Sequence, residues 1–344
     1  MLYQRVCLYP PAYEAPPNVV TSEALELRLA PLYQRLKLPE GRLELMSGIR
    51  ERRFWDSGTK PSHAAAMAGK KALAVADVDP AEIECLIFTS VSRDMMEPAT
   101  ASFVHHRLKL PEKCQIFDLS NACLGFLNGM VMLANMIELG QVRKGLVVAG
   151  ETAENLVEST IRHLLSDPAV TRKTIKSSFA SLTIGSGAVA MVLGDRHQQD
   201  TGHLLCGGAV RANSSHNDLC RGGVEGGAGI LMATDSEELL KRGVETAALV
   251  WFDFCNELDW SSDGISRFFC HQVGRAHAQL LFERLKLDAK KNFESLPFWG
   301  NVGSVSAPLT MAIGLEQQML EAGQRAALLG IGSGINCLML GIEW

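Results

Sequence analysis

Cys123 stands between a short apolar stretch, 114–119, and a longer, almost wholly apolar one, 123–139, that ends at Gly140. By pattern the first is a strand and the second a buried helix stopped by glycine. A thiol at a strand-to-helix turn sits at the positive end of the helix dipole, which favours the thiolate that a nucleophile needs. A cysteine alone is also a common small buried hydrophobe. Two further residues bear on the choice. His271 lies at the end of an apolar strand, 266–273, and Asn301 in the turn Gly300-Asn301-Val302-Gly303 at the head of a helical stretch, 303–320. Taken singly, the histidine reads as structural and the asparagine as a helix cap. Together with a nucleophilic thiol they spell acyl transfer. Cys123 would attack a thioester and become acylated, and His271 and Asn301 would aim N–H donors at an enolate or oxyanion. The loop Gly330-Ile331-Gly332-Ser333-Gly334 permits close backbone approach. It makes the amides of Cys123 and Ser333 candidates for holding the first tetrahedral intermediate, although a plain turn between strands explains the glycines equally well.

The elements that must bring these residues together follow one order twice. The first half reads as a helix at 62–76, strands at 84–91 and 114–119, the buried helix, then strands at 145–150 and 187–194. The second reads as a helix at 236–251, a strand at 266–273, a helix at 303–320, then strands at 325–330 and 335–344. Short apolar strands without strict alternation imply sheets covered by helices on both faces. The expected organisation is an α/β protein of two pseudo-symmetric halves. Residues 1–195 carry the nucleophile, and residues 196–344 carry the histidine and asparagine. Under such symmetry the His271 strand matches Thr89-Ser90-Val91 and the Asn301 turn matches the Cys123 turn, so all three residues converge at one end of the strands. Two segments fall outside the repeat: a charged, helical one at 155–178, and 211–230, rich in glycine and polar residues. Inserted loops of this kind often cover a site.

Composition narrows the function classes. The 344 residues are 47% hydrophobic and 21% charged, as in a globular enzyme with a sizeable core. A net charge of −5 with only short basic pairs leaves no footprint for nucleic acid. The first residues carry no secretory pattern. The longest apolar run, 123–137, is broken by Gly125, Asn128, Gly129 and Asn135 and is too short to span a bilayer. Nine cysteines with no metal-type spacing read as reduced thiols in a cytosol.

The Asn121-Ala122-Cys123-Leu124-Gly125-Phe126 turn, the His271-Gln272 strand end, the Gly300-Asn301 turn and the closing Gly330-Ile331-Gly332-Ser333-Gly334 resemble the thiolase superfamily, in its ketosynthase III branch, over essentially the whole chain. Decarboxylating members of that branch usually read His-Gln-Ala-Asn and Gly-Asn-Thr. Here His271-Gln272-Val273-Gly274-Arg275 and Gly300-Asn301-Val302-Gly303 depart from both. With the stretch from Ser90-Val91-Ser92 to Glu97-Pro98, these are similar to the OleA-type enzymes that join two acyl-CoA molecules head to head. The resemblance implies a duplicated, five-layered αβαβα fold and a homodimer. It implies two fatty acyl-CoA substrates, no metal or redox cofactor, and downstream enzymes that take up the 3-oxoacyl product. It also implies a role for Glu97: reaching across the dimer into the neighbouring site as the base that deprotonates the second acyl-CoA. A carboxylate buried beside alkyl chains would have the raised pKa that suits a base.

Two other readings share these residues. A decarboxylating synthase would extend an acyl primer with malonyl-ACP using the same Cys123, His271 and Asn301, and would not need Glu97. A catalytically silent acyl-binding subunit would not need the intact trio at all.

Overall fold

The computed structural model describes residues 1–198, 203–224 and 230–344. The strands that matter here are β1 (Val6–Leu8), β2 (Cys85–Phe88), β3 (Gln115–Asp118), β4 (Lys144–Glu151), β5 (Gly187–Asp195), β6 (Leu204–Ala212), β7 (Arg267–Cys270), β8 (Arg325–Gly332) and β9 (Asn336–Glu343). They form one continuous sheet in the order β7-β8-β9-β6-β1-β5-β4-β2-β3, with Ala12–Glu14 added beside β5. The helices are α1 (Pro61–Val75), α2 (Thr100–Leu108), α3 (Gly125–Glu138), α4 (Ser236–Leu258), α5 (Arg275–Leu285) and α6 (Ser306–Glu316).

The predicted repeat is visible strand by strand. In the first half β2 runs parallel to β3 and β4, and β4 pairs antiparallel with β5. In the second half β7 runs parallel to β8, and β8 pairs antiparallel with β9. A parallel bridge from Phe268 to Asn292 stands where β3 stands in the first half. The boundary proposed between residues 195 and 196 lies at the end of β5.

Alternate residues of each strand sort to opposite faces, which builds the layers. On β4, Val147 and Ala149 face a central core with Phe126, Leu127 and Met130 of α3 and Leu309 and Met311 of α6. Leu146 and Val148 face the other way, against Ala64 and Ala68 of α1 and Val104 of α2. In the second half Leu328 and Leu340 point to the central core. Leu329 and Met339 meet Val250 and Phe254 of α4 and Phe282 of α5. The result is the five-layered αβαβα arrangement, with α3 and α6 sandwiched between the two half-sheets. Three helices differ in extent from their sequence patterns; α4, read as 236–251, runs on to Leu258. The helix after Cys123 begins at Gly125, and the stretch from Gly303 opens as a 3₁₀ turn (Gly303–Val305) before α6.

Candidate active site

The turn that presents Cys123 is sharp. Ala122 adopts φ 46°, in the left-handed region that side chains rarely occupy. The Leu124 N–H then donates to Asn121 O at 3.0 Å and closes the turn. Helix α3 starts hard against the first half-sheet, since a Cβ at Gly125 would lie 2.1 Å from the carbonyl oxygen of Thr89. From the other half the glycine-rich loop presses on the same turn: a Cβ at Gly332 would meet Leu124 Cγ at 3.0 Å.

His271 follows β7, with its N–H donating to Leu329 O at 2.8 Å. Gln272 fixes it from behind. The Gln272 side chain donates to Phe293 O at 2.7 Å and accepts from the N–H groups of Ser295 and Leu296. Asn301 is held by its main chain: its N–H donates to Thr183 O at 3.0 Å and its carbonyl accepts from Gly185 N–H at 2.9 Å. Its Oδ1 accepts from Gly303 N–H at 3.0 Å, and its amide Nδ2 is the donor end of a side chain on the cavity wall.

Cys123, His271, Asn301 and Ser333 all line one cavity of about 890 Å³. Its remaining wall is largely apolar and includes Met95, Leu156, Phe179, Met232, Leu240 and Ile331. Sequence patterns did not identify these wall residues, because an apolar side chain facing a cavity and one facing a core look alike in a sequence. Both segments outside the repeat reach this wall. Leu156 belongs to the helix Glu154–Ser166, and Cys220 and Met232 to the hairpin Cys220–Val224 with Ile230–Thr234. The part of the second segment at 225–229 lies outside the described residues. Leu43 and Met46, from the short helix Arg42–Ser47, also line the cavity.

The electrostatics correct one expectation. The Cys123 thiol is pushed up to about 12, first by burial and then by the neighbouring Cys220 and Glu151. Helix α3 begins two residues beyond it, and its favourable end does not offset the desolvation of a thiolate half-buried on the cavity wall. His271 is pushed down to about 3, by burial and then by His277, so its imidazole is neutral and offers an N–H without carrying charge. Its Nδ1 has no hydrogen-bond partner among the described residues.

In the single chain Glu97 is exposed and does not line the cavity of that chain. Its loop is nevertheless tied down on both sides. Asp94 accepts from Ser62 N–H and Oγ at 2.8 and 2.6 Å, and Asp118 accepts from the N–H groups of Thr100 and Ala101 at 2.8 Å.

Known proteins match this architecture along its whole length. The family model for 3-oxoacyl-[acyl-carrier-protein] synthase III matches residues 117–208, and the model for its C-terminal part matches residues 255–344. An acyl-CoA:acyl-CoA alkyltransferase of Shewanella oneidensis is 42% identical, covering 100% of both chains. One of Xanthomonas campestris is 37% identical with the same coverage. The chain belongs to the OleA-type acyl-CoA:acyl-CoA alkyltransferase family. Structures agree: a cysteine-to-serine variant of Xanthomonas campestris OleA, with bound lauric acid and lauroyl-CoA, superposes with a TM-score of 0.95 at 36% identity over 100% of both chains.

Family membership makes this chain an acyltransferase of the thiolase-fold condensing enzymes. Solved OleA variants from Xanthomonas campestris carry changes at a glutamate, a cysteine and a histidine. That glutamate and cysteine are separated by the same number of residues as Glu97 and Cys123. Among the described residues no helix is long and apolar enough to cross a membrane. None of the nine cysteines, all of them described, is disulfide-bonded.

Proposed function

We propose that the chain catalyses a non-decarboxylative Claisen condensation of two fatty acyl-CoA thioesters. The observation that carries this reading is the meeting of Cys123, His271 and Asn301, drawn from both halves, in one large and mostly apolar cavity. Cys123 attacks the first thioester; the thiolate of CoA leaves with the proton that Cys123 gives up. The neutral His271 and the Nδ2 of Asn301 then hold the oxygen of the second acyl-CoA as its α-proton moves to Glu97. The carbanion attacks the acyl-Cys123 thioester, the Cys123 thiolate leaves, and a 2-alkyl-3-oxoacyl product results. The thioester supplies the activation, so the route calls for no metal or redox group.

Glu97 does not line the cavity of its own chain, which favours its supply to the neighbouring site across a homodimer. The spacing shared with the glutamate and cysteine of OleA supports its role. The Ser333 amide joins that of Cys123 as a donor to the first tetrahedral intermediate. Partners in this reading are fatty acyl-CoA, a second copy of the chain and enzymes that consume the product, in the cytosol.

The deciding experiment supplies lauroyl-CoA alone. The expected result is one CoA released on acylation of Cys123, followed by a 2-alkyl-3-oxoacyl product identified by mass spectrometry. Turnover only when malonyl-ACP is present would replace this reading with the decarboxylating one.

A further inference from the structure

Glu151 ends β4, is only 6% exposed and lines the cavity near Cys123. Its carboxylate accepts four hydrogen bonds from two separate segments. Oε1 accepts from Val91 N–H at 2.9 Å and from the Ser304 hydroxyl at 2.7 Å. Oε2 accepts from Ser92 N–H at 3.0 Å and from the Ser92 hydroxyl at 2.8 Å. Ser92 Oγ in turn accepts from Thr152 N–H at 3.1 Å. Val91 and Ser92 open the loop that carries Glu97. Ser304 lies three residues beyond Asn301, on the 3₁₀ turn whose first residue, Gly303, caps the Asn301 side chain. A single carboxylate therefore ties the Glu97 loop to the Asn301 turn.

Only an ionised carboxylate can accept from all four donors, because an amide would turn its own NH₂ toward one pair of them. The same charge opposes formation of the Cys123 thiolate. A residue serving packing alone could be apolar and would not burden the nucleophile in this way. We propose that Glu151 is a positioning residue for condensation, fixing the Glu97-bearing loop against the Asn301 turn. This rests on the roles assigned above to Glu97 and Asn301.

The proposal predicts changes of opposite sign in one variant. In Glu151→Gln, carbon–carbon bond formation from preacylated enzyme falls by about tenfold to a hundredfold, as expected when reacting groups are misplaced by about 1 Å. Alkylation of Cys123 by iodoacetamide, followed on its own peptide, becomes faster at a given pH, because the opposing charge is gone. The other titratable groups on the cavity wall, Arg93, Cys220, His271 and His277, are unchanged. Glu151→Asp keeps the charge but shortens the reach, so it slows condensation and leaves the alkylation profile at wild type. If Glu151→Gln does not fold, the Ser92→Ala/Ser304→Ala variant carries the test, with slowed condensation and unaltered alkylation expected. Condensation at the wild-type rate in Glu151→Gln, or in the serine variant, overturns the proposal. So does a Glu151→Gln variant in which alkylation and condensation slow together. Glu97→Gln run alongside separates the claims: a wild-type rate there removes the base assignment alone, and the positioning role is then read through Ser304→Ala and Asn301.

Discussion

Asn336 Nδ2 lies 3.3 Å from Asn121 Oδ1 and donates to it across the two halves. The same amide donates to Ser333 O at 3.1 Å, and Asn121 Nδ2 donates to Asn128 Oδ1 at 2.8 Å. The Cys123 turn, the first turns of α3 and the glycine-rich loop thus form one hydrogen-bonded unit. Asn336→Ala is expected to destabilise the fold by about 1 kcal/mol for each bond lost. It should slow acylation of Cys123 more than that loss of stability accounts for. Urea unfolding and intact-mass acylation time courses measure the two effects; unchanged acylation would show that the turn holds its shape without the Asn336 hydrogen bonds.

Removing the thiol should block the first step outright. Cys123→Ala and Cys123→Ser are expected to fold and dimerise yet take up no acyl group, since a hydroxyl lacks the thiolate character the step needs. His271→Ala and Asn301→Ala should still be acylated. Each should lose about 10²–10³ in condensation rate, the usual cost of one oxyanion donor. Collapse of acylation in both variants, with normal condensation from any preacylated enzyme, would reverse these roles.

Glu97→Gln keeps size and hydrogen bonding but not basicity. It should leave acylation intact and slow condensation by about 10²–10⁴, the range for a lost general base. Mixed dimers of Cys123→Ala and Glu97→Gln chains should regain activity, because one of the two sites then holds both groups. Dimers without any rescue would show that Glu97 serves its own chain.

Two histidines, His271 buried and His277 half-buried on the cavity wall, make stability depend on pH. The ordinary value is 6.5, and burial lowers His271 to about 3 and His277 to about 4. Between 6.5 and these values the unfolded chain binds more protons than the folded one. Stability is therefore full above 6.5 and declines as pH falls toward 3, by up to about 1.4 kcal/mol per pH unit for each histidine. His277→Gln should flatten the decline in urea midpoints measured from pH 7.5 to pH 5. A slope equal to that of the wild type would show that His277 is not held neutral.

Much of this was legible in the sequence for a physical reason. Covered strands must be apolar, and a thiol, a histidine and an asparagine at the ends of such strands stand out against them. Cys123, His271 and Asn301 accordingly lie on one cavity, as their repeat positions implied. The Cys123 pKa was not legible, because desolvation depends on depth, and neither Cys220 nor Glu151 is near Cys123 in the chain. Glu151 falls just beyond the strand read at 145–150, and its four donors come from residues 91, 92 and 304.

Strand β1 is the seam of the sheet. Val6, Cys7 and Leu8 pair with Asp195, Gly194 and Leu193 on one side, and Cys7 pairs with Leu204 on the other. During synthesis Val6–Leu8 are made well before Leu193–Asp195 and Leu204, the residues they pair with. Such distant pairing is slow to form and leaves strand edges open meanwhile. The nascent first half, Cys123 included, must therefore wait with open strand edges until those partners have been made.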